Sequence, residues 1–206
     1  IRKNEFYNSY KKEFFFNKDI LEIGGSDGYL ASIISRLKPS SLISIDINPI
    51  KSKFYQVLKY DAANIPVEES SIDIIFSSNT FEHIKDIDQF LSICKTILRT
   101  NGEITLMLPS HIWRLFSCFN CLLFLLPPLP HGIHSSNVIS EYFNFMPRYW
   151  INLFKKNGFI CKEVKGCGYF YAEPKLFPIN KKTLPIRKFL SKILGNSSYV
   201  YSFIKE

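Results

Sequence analysis

Short apolar runs alternate along the chain with segments in which apolar residues recur every three or four positions. The runs have the length of buried strands, and they are Ile20–Ile23, Leu42–Ile47, 57–60, Ile72–Phe76 and Ile104–Leu108. Strands that are apolar on both sides are typical of parallel sheets covered by helices on both faces. This pattern therefore predicts an α/β fold.

The segments between the runs carry helical signals. Leu30–Leu37 places apolar residues at i, i+3, i+4 and i+7 before Pro39, and Ile87–Leu98 forms a longer amphipathic stripe. Asn101–Gly102 is a dipeptide typical of turns, so we expect it to lead into the fifth strand. Residues 1–18 mix lysines with aromatic side chains, and we expect a loosely docked helix there.

The alternation stops after the fifth predicted strand and resumes near the carboxyl end. Residues 110–146 are too long for a plain connection and are rich in aromatic side chains. A helix near Arg148–Lys156, a strand at Phe159–Val164 and a last strand at Tyr199–Ile204 follow. We predict one domain over 1–206: a Rossmann-like, mostly parallel seven-stranded sheet with an antiparallel last strand and an inserted helical lid.

Composition and charge indicate the class of protein and its partners. The 206 residues are 46% hydrophobic, which is ordinary for a globular protein, but 16% are aromatic and the net charge is +8. This combination favours anionic or apolar partners, such as nucleic acid, phosphorylated glycans or a membrane surface. The five cysteines favour a reducing cytosol over a disulfide framework. The uncharged run 115–130 is shorter than the ~20 residues that a spanning helix needs.

Small and acidic residues follow four of the predicted strands, at the ends where open α/β sheets bind ligands. In strand order they are Glu22, Gly24, Gly25, Ser26 and Gly28; Asp46 with Ile47; Asp61 with Ala62; and Ser78 with Asn79. The dinucleotide pattern GxGxxG is not met, since neither register supplies its second and third glycines. The alternative is a glycine-rich turn that binds no cofactor.

Four segments resemble the successive motifs of class I S-adenosylmethionine-dependent methyltransferases, of the type 11 kind. They read ILEIGGSDGYLA, SIDINP, KYDAANIPVEESSIDIIFSSNTFEHIKD and ILRTNGEITLMLP, in order and at natural spacing across residues 20–109. The usual ExGxGxG carries Ser26 in place of its middle glycine. The resemblance implies that S-adenosylmethionine is the cofactor and that 19–109 is the half of the domain that binds it.

The resemblance also implies roles for the residues at the strand ends. Glu22 and the turn Gly24–Gly28, with Ser78 and Asn79, would hold the methionine part and the methyl group. Asp46 would bind the ribose hydroxyls, with Ile47 against the adenine. Asp61, with Ala62 beside it, would reach the adenine amino group.

Three histidines are candidates for a catalytic base, since a neutral imidazole titrates near physiological pH. His83 follows the fourth strand, His111 follows the fifth, and His134 lies in the insertion near His131. His83 has the alternative of a packing or helix-start role. We expect no metal site, because neither the His131–His134 pair nor the CxxC pair at 118–121 has further ligands next to it in the sequence.

The acceptor is expected to be a small-molecule, sugar or lipid-linked compound, methylated at a hydroxyl. Residues 110–146 would form a lid that contacts an apolar acceptor, or else a helical hairpin that buries its own apolar face. The basic amphipathic segment 175–196 would be a solvated helix face or would contact an anionic membrane. We expect a cytoplasmic protein that is peripheral to the membrane at most. The alternatives are a catalytically inactive cofactor-binding partner, or an RNA methyltransferase, although nucleic acid is the less favoured partner.

Overall fold

The computed structural model describes residues 1–51, 53–61, 64–132, 137–174 and 180–206. Its seven strands are β1 (Asp19–Ile23), β2 (Ser41–Asp46), β3 (Leu58–Lys59), β4 (Ile72–Ser78), β5 (Leu98–Pro109), β6 (Phe159–Gly166) and β7 (Ser198–Lys205). They form one sheet in the order β3-β2-β1-β4-β5-β7-β6. Strands β1 to β5 pair in parallel, and β7 pairs antiparallel with both β5 and β6. The predicted sheet and its antiparallel last strand are confirmed.

Helices cover both faces of this sheet. The helices are α1 (Arg2–Ser9), α2 (Tyr29–Ser35), α3 (Ile87–Ile97), α4 (His111–Leu123), α5 (Val138–Asn144), α6 (Pro147–Lys156) and α7 (Leu184–Leu194). Because successive strand residues face opposite sides, Ile74 packs in the apolar cluster with α1 and α2, and Ile75 in the one with α3 and α6. The two clusters confirm the predicted Rossmann-like α/β fold.

The N-terminal segment packs more firmly than predicted. Phe6 of α1 and Phe15 are fully buried, and their rings stack with centroids 5.5 Å apart. The ring of Phe6 also contacts Phe76 of β4 edge-on, at 5.8 Å. The expectation of a loosely docked helix was wrong, because aromatic rings bury large apolar areas that hold even a short helix on the sheet.

The predicted turn at Asn101–Gly102 is a second correction. Strand β5 begins at Leu98, directly after α3, and Asn101 lies inside it at φ 62°. The pairing register between β4 and β5 shifts between Ile72 and Ile74, opposite this irregularity. Two steps along β4 here oppose five steps along β5, so β5 accommodates the dipeptide in a bulge without ending.

Helices α4 and α7 bury polar side chains and expose apolar ones. The buried side of α4 carries Trp113, Arg114, Ser117 and Asn120, and that of α7 carries Arg187 and Ser191. The exposed large apolar side chains of these helices are Leu115, Phe119, Leu122, Leu123, Ile186, Phe189 and Ile193. The hairpin that buries its own apolar face is therefore not what α4 forms.

Both helices bind one segment of chain with their polar sides. Ser117 Oγ accepts the N–H of Glu173 at 2.9 Å, and Asn120 donates to the carbonyl of Pro174 at 2.9 Å. From α7, Arg187 donates to the carbonyl of Phe170 at 3.2 Å. Because the polar sides of both helices bind residues 170–174, their apolar sides face solvent.

Among the described residues, no helix is long and apolar enough to cross a membrane.

Candidate functional site

The turn between β1 and α2 brings the backbone close to its neighbours. Gly24 and Gly28 have φ angles of 83° and 79°, which side-chain-bearing residues rarely adopt. A Cβ on Gly24 would overlap the side chain of Thr80, and one on Gly28 would overlap the backbone of Tyr55. Ser26 shares this left-handed conformation at φ 52°. The turn therefore forms a narrow cradle, meaning a stretch of backbone packed so closely that side chains at the two glycines would not fit.

Asp46, at the end of β2, is fixed by two backbone N–H groups. Ser26 donates to one carboxylate oxygen at 2.9 Å, and Asn48 donates to the other at 2.8 Å. Each oxygen keeps a lone pair for a further donor. The next side chain, Ile47, is 60% exposed and can pack against a flat ligand.

Glu22 is the buried acid of the site, only 2% exposed. Its carboxylate accepts the hydroxyl of Ser44 at 2.5 Å. Burial raises the pKa of Glu22 to about 7, because desolvation disfavours the charged form more than the Ser44 hydrogen bond favours it. A cationic ligand group beside Glu22 would reverse this effect.

Two cavities meet at Gly24, Asp46 and Thr80. One has a volume of about 520 Å³, and among its lining residues are Glu22, Gly25, Ser26, Ser78, Asn79 and Arg2. The other has a volume of about 470 Å³, and among its lining residues are Ile47, Tyr60, Asp61, His83, Ile84 and Phe90.

Nearly all of the predicted cofactor residues thus lie around one continuous space. Gly28 lies behind the turn as the N-cap of α2. Ala62 lies outside the described residues.

Arg2 is a site residue that the sequence analysis missed. Its guanidinium donates to the Ser78 hydroxyl at 2.8 Å and to the Asn79 side-chain oxygen at 2.9 Å. No local pattern marks this arginine, because only the packing of α1 on the sheet brings it to the end of β4. It adds a positive charge to the larger cavity.

The three candidate bases are placed differently. His83 lines the 470 Å³ cavity. His111 begins α4, its ring stacks with that of Tyr199 at 6.1 Å, and burial lowers its pKa, so it stays neutral at physiological pH. It is not among the lining residues of either cavity. His134 lies outside the described residues.

The arrangement fits S-adenosylmethionine. The cofactor has a cationic methionine end, ribose hydroxyls and a flat adenine. Glu22 offers a buried carboxylate, Asp46 offers oriented oxygens, and the second cavity is largely apolar around Ile47 and Phe90. The glycine cradle allows the close backbone approach that such a ligand needs.

Comparison with known proteins also finds similarity to methyltransferases. Residues 21–106 match the family described as a methyltransferase domain. A protein of Mycobacterium tuberculosis, described as a probable S-adenosylmethionine-dependent methyltransferase, is 26% identical over 102 residues, covering 46% of this chain and 37% of that protein. A relative of the same description from Mycolicibacterium smegmatis is 26% identical over 46% of this chain and 39% of its own. The chain thus matches well under half the length of these relatives.

Solved structures share the fold at low sequence identity. An S-adenosylmethionine-dependent methyltransferase from Aquifex aeolicus superposes with a TM-score of 0.61 and 13% identity, covering 100% of this chain and 93% of that one. One from Mesorhizobium loti gives a TM-score of 0.60 and 11% identity, with 93% and 92% covered. At this identity the likeness establishes the architecture alone.

Proposed function

We propose that this chain is a class I S-adenosylmethionine-dependent methyltransferase and that it transfers a methyl group from that cofactor to an acceptor hydroxyl. The observation that carries the proposal is the continuous space in which Glu22, Asp46 and Asp61, from three strand ends, line two cavities that meet. The bound cofactor supplies a methyl group on a positively charged sulfur. The protein's own task is to bind, orient and exclude water.

Each side chain would act on one part of the cofactor. Glu22 and Asn79 would hold the methionine end, and Asp46 would accept the ribose hydroxyls with the two oxygens that Ser26 and Asn48 orient. Asp61 would accept from the adenine amino group. Arg2, which donates to Ser78 and Asn79, would pair with the methionine carboxylate.

A hydroxyl acceptor must lose its proton as the methyl group arrives. His83, on the cavity wall, and His111, held neutral by burial, are the two described histidines proposed for this step. His134 remains a third candidate from the sequence. Alanine variants of each, assayed for binding and turnover separately, would assign the base to the one that loses turnover alone.

We further propose a lipid-linked acceptor that is met at an anionic membrane surface. The outward apolar side chains of α4 and α7 support this choice, because exposing so many large apolar side chains to water is unfavourable. Exposed lysines accompany the apolar stripe of α7, namely Lys181, Lys182, Lys188 and Lys192. Apolar side chains flanked by lysines are the composition that binds the interface of anionic bilayers.

Two measurements test the proposal. Calorimetric titration with S-adenosylmethionine should show binding to the wild type and a loss of at least about tenfold in affinity for Asp46→Ala. Asp88→Ala, which changes an exposed side chain of α3, should bind normally. A methyl-transfer assay with radiolabelled cofactor on fractionated cell extract should then place label in the lipid fraction.

The other outcomes separate the alternatives. Absence of cofactor binding by the wild type would contradict the proposal as a whole. Binding without transfer would favour an inactive cofactor-binding partner. Label in RNA would favour the nucleic-acid alternative that the net charge of +8 suggests.

A further inference from the structure

We propose that Glu82, His83 and His131 form a binding site for a divalent transition-metal ion. Glu82 and His83 lie on the short 3₁₀ helix Phe81–His83 that follows β4, and His131 comes from the loop between α4 and α5. One ligand atom from each side chain lies within 4.8 Å of the other two. Residues far apart in the sequence thus converge at one point beside the cofactor cavities.

Glu82 is the side chain that most needs a cation. It is 1% exposed, and neither carboxylate oxygen has a hydrogen-bond partner within the part of the chain that the structure describes. His83 Nε2 lies 3.9 Å from one of these oxygens, too far for a hydrogen bond. A buried carboxylate without a partner is strongly disfavoured, so a bound ion would supply the missing charge and contacts.

His131 is held at the site by its own loop. The buried carboxylate of Glu141 accepts the backbone N–H groups of His131 and Gly132, both at 2.5 Å. The other oxygen of Glu141 forms an ion pair with Arg114 Nε at 2.6 Å, and Arg114 also donates to the carbonyl of Leu129 at 2.7 Å. The loop is therefore fixed on both sides of His131 before any ligand binds.

The imidazole rings are also positioned for coordination. The rings of His83 and His131 lie with centroids 5.0 Å apart, and Trp113 contacts the ring of His131 at the same distance. A neutral imidazole donates a ring lone pair to a metal ion. Ligand atoms up to 4.8 Å apart need only a small rotation to reach metal bonds of ~2.0–2.2 Å.

Two imidazole nitrogens with one carboxylate oxygen suit zinc and related ions rather than magnesium or calcium. Three protein ligands leave a further position for water or an acceptor oxygen. Since His83 also lines the 470 Å³ cavity, that position adjoins the proposed cofactor site. An ion on His83 would remove it from the candidate bases and leave His111 and His134.

The test is cobalt binding to the full chain, purified and stripped of metal with a chelator, in the absence of cofactor and acceptor. We expect one equivalent of Co²⁺ to bind, with a visible absorption band and a raised melting temperature. Glu82→Gln and His131→Ala should each weaken binding by about tenfold or more and abolish the band. His111→Ala, a histidine outside the cluster, should bind as the wild type does.

Three results would overturn the site. They are no binding by the wild type, equal loss in His111→Ala, or binding that survives in both cluster variants and disappears in Cys118→Ser/Cys121→Ser. Circular dichroism of each variant separates loss of a ligand from loss of the fold, and the two cluster variants change different elements. Because no cofactor is present, failure here leaves the proposed methyl transfer to its own test.

Discussion

The buried carboxylate of Glu22 lowers the stability of the free protein, but the same charge favours the binding of a cationic ligand. Burial raises its pKa from 4.5 to about 7, so the folded state favours the protonated form. Stability without cofactor should therefore fall as pH rises between these values and level off above pH 7. The same charge that destabilises the free protein is the one that a cationic ligand needs.

Glu22→Gln, which mimics the protonated form, should make the free protein more stable at pH 8 by on the order of 2–3 kcal/mol. It should also flatten the dependence of stability on pH and weaken cofactor binding by about tenfold or more, since a charged acceptor is lost. Urea unfolding at pH 5 and pH 8, with calorimetry, measures both effects. A variant that is less stable than the wild type at pH 8 would contradict the argument.

Ser26 occupies the left-handed position that the usual motif gives to glycine, at φ 52°. A non-glycine residue there is strained, so Ser26→Gly should stabilise the protein by up to about 1 kcal/mol. The backbone N–H that donates to Asp46 remains in this variant. Ser32→Gly, inside α2, is the control and should destabilise by about 1 kcal/mol. Equal effects of the two changes in thermal unfolding would argue against backbone strain at Ser26.

At the scale of elements, one buried ion pair joins the two helices of the insertion. Arg114 of α4 and Glu141 of α5 are 4% and 0% exposed, and Glu141 also holds two backbone N–H groups. Breaking such a pair leaves a buried charge without its partner. The insertion is therefore organised around a polar contact, in contrast to the apolar packing of the sheet.

Glu141→Gln should destabilise the protein by about 3 kcal/mol for this reason. Glu163→Gln, which removes the exposed pair with Lys165, is the matched control and should change stability by less than about 1 kcal/mol. Chemical denaturation of both variants gives the comparison. If Glu141→Gln were as mild as the control, the ion pair would not organise the insertion.

At the scale of the molecule, the outward apolar sides of α4 and α7 indicate where it would meet a bilayer. Phe119→Ser/Phe189→Ser should reduce sedimentation with anionic phosphatidylglycerol vesicles by about tenfold, because both rings would enter the interface. Phe16→Ser, whose ring is 52% exposed on a different segment, should bind as the wild type does. Binding that is unchanged in the double variant would place the contact elsewhere.

Much of this architecture could be predicted locally. The alternation of apolar runs with helical stripes determined the strands β1, β2, β4 and β5 and the order of the helices between them, since period and length are local properties of the chain. Acidic and small residues after four of the strands predicted the place of the cofactor site for the same reason, because parallel strands end at one edge. The motifs then identified the cofactor.

Contacts between distant residues were decided by the tertiary structure. Neither the approach of Arg2 to Asn79 nor that of His131 to Glu82 leaves a pattern in the sequence, because each depends on how separate elements pack. The outward apolar side of α7 was hidden too, since an amphipathic stripe gives the same period whichever side faces solvent. Periodicity determines which residues share a face, and only packing decides where that face points.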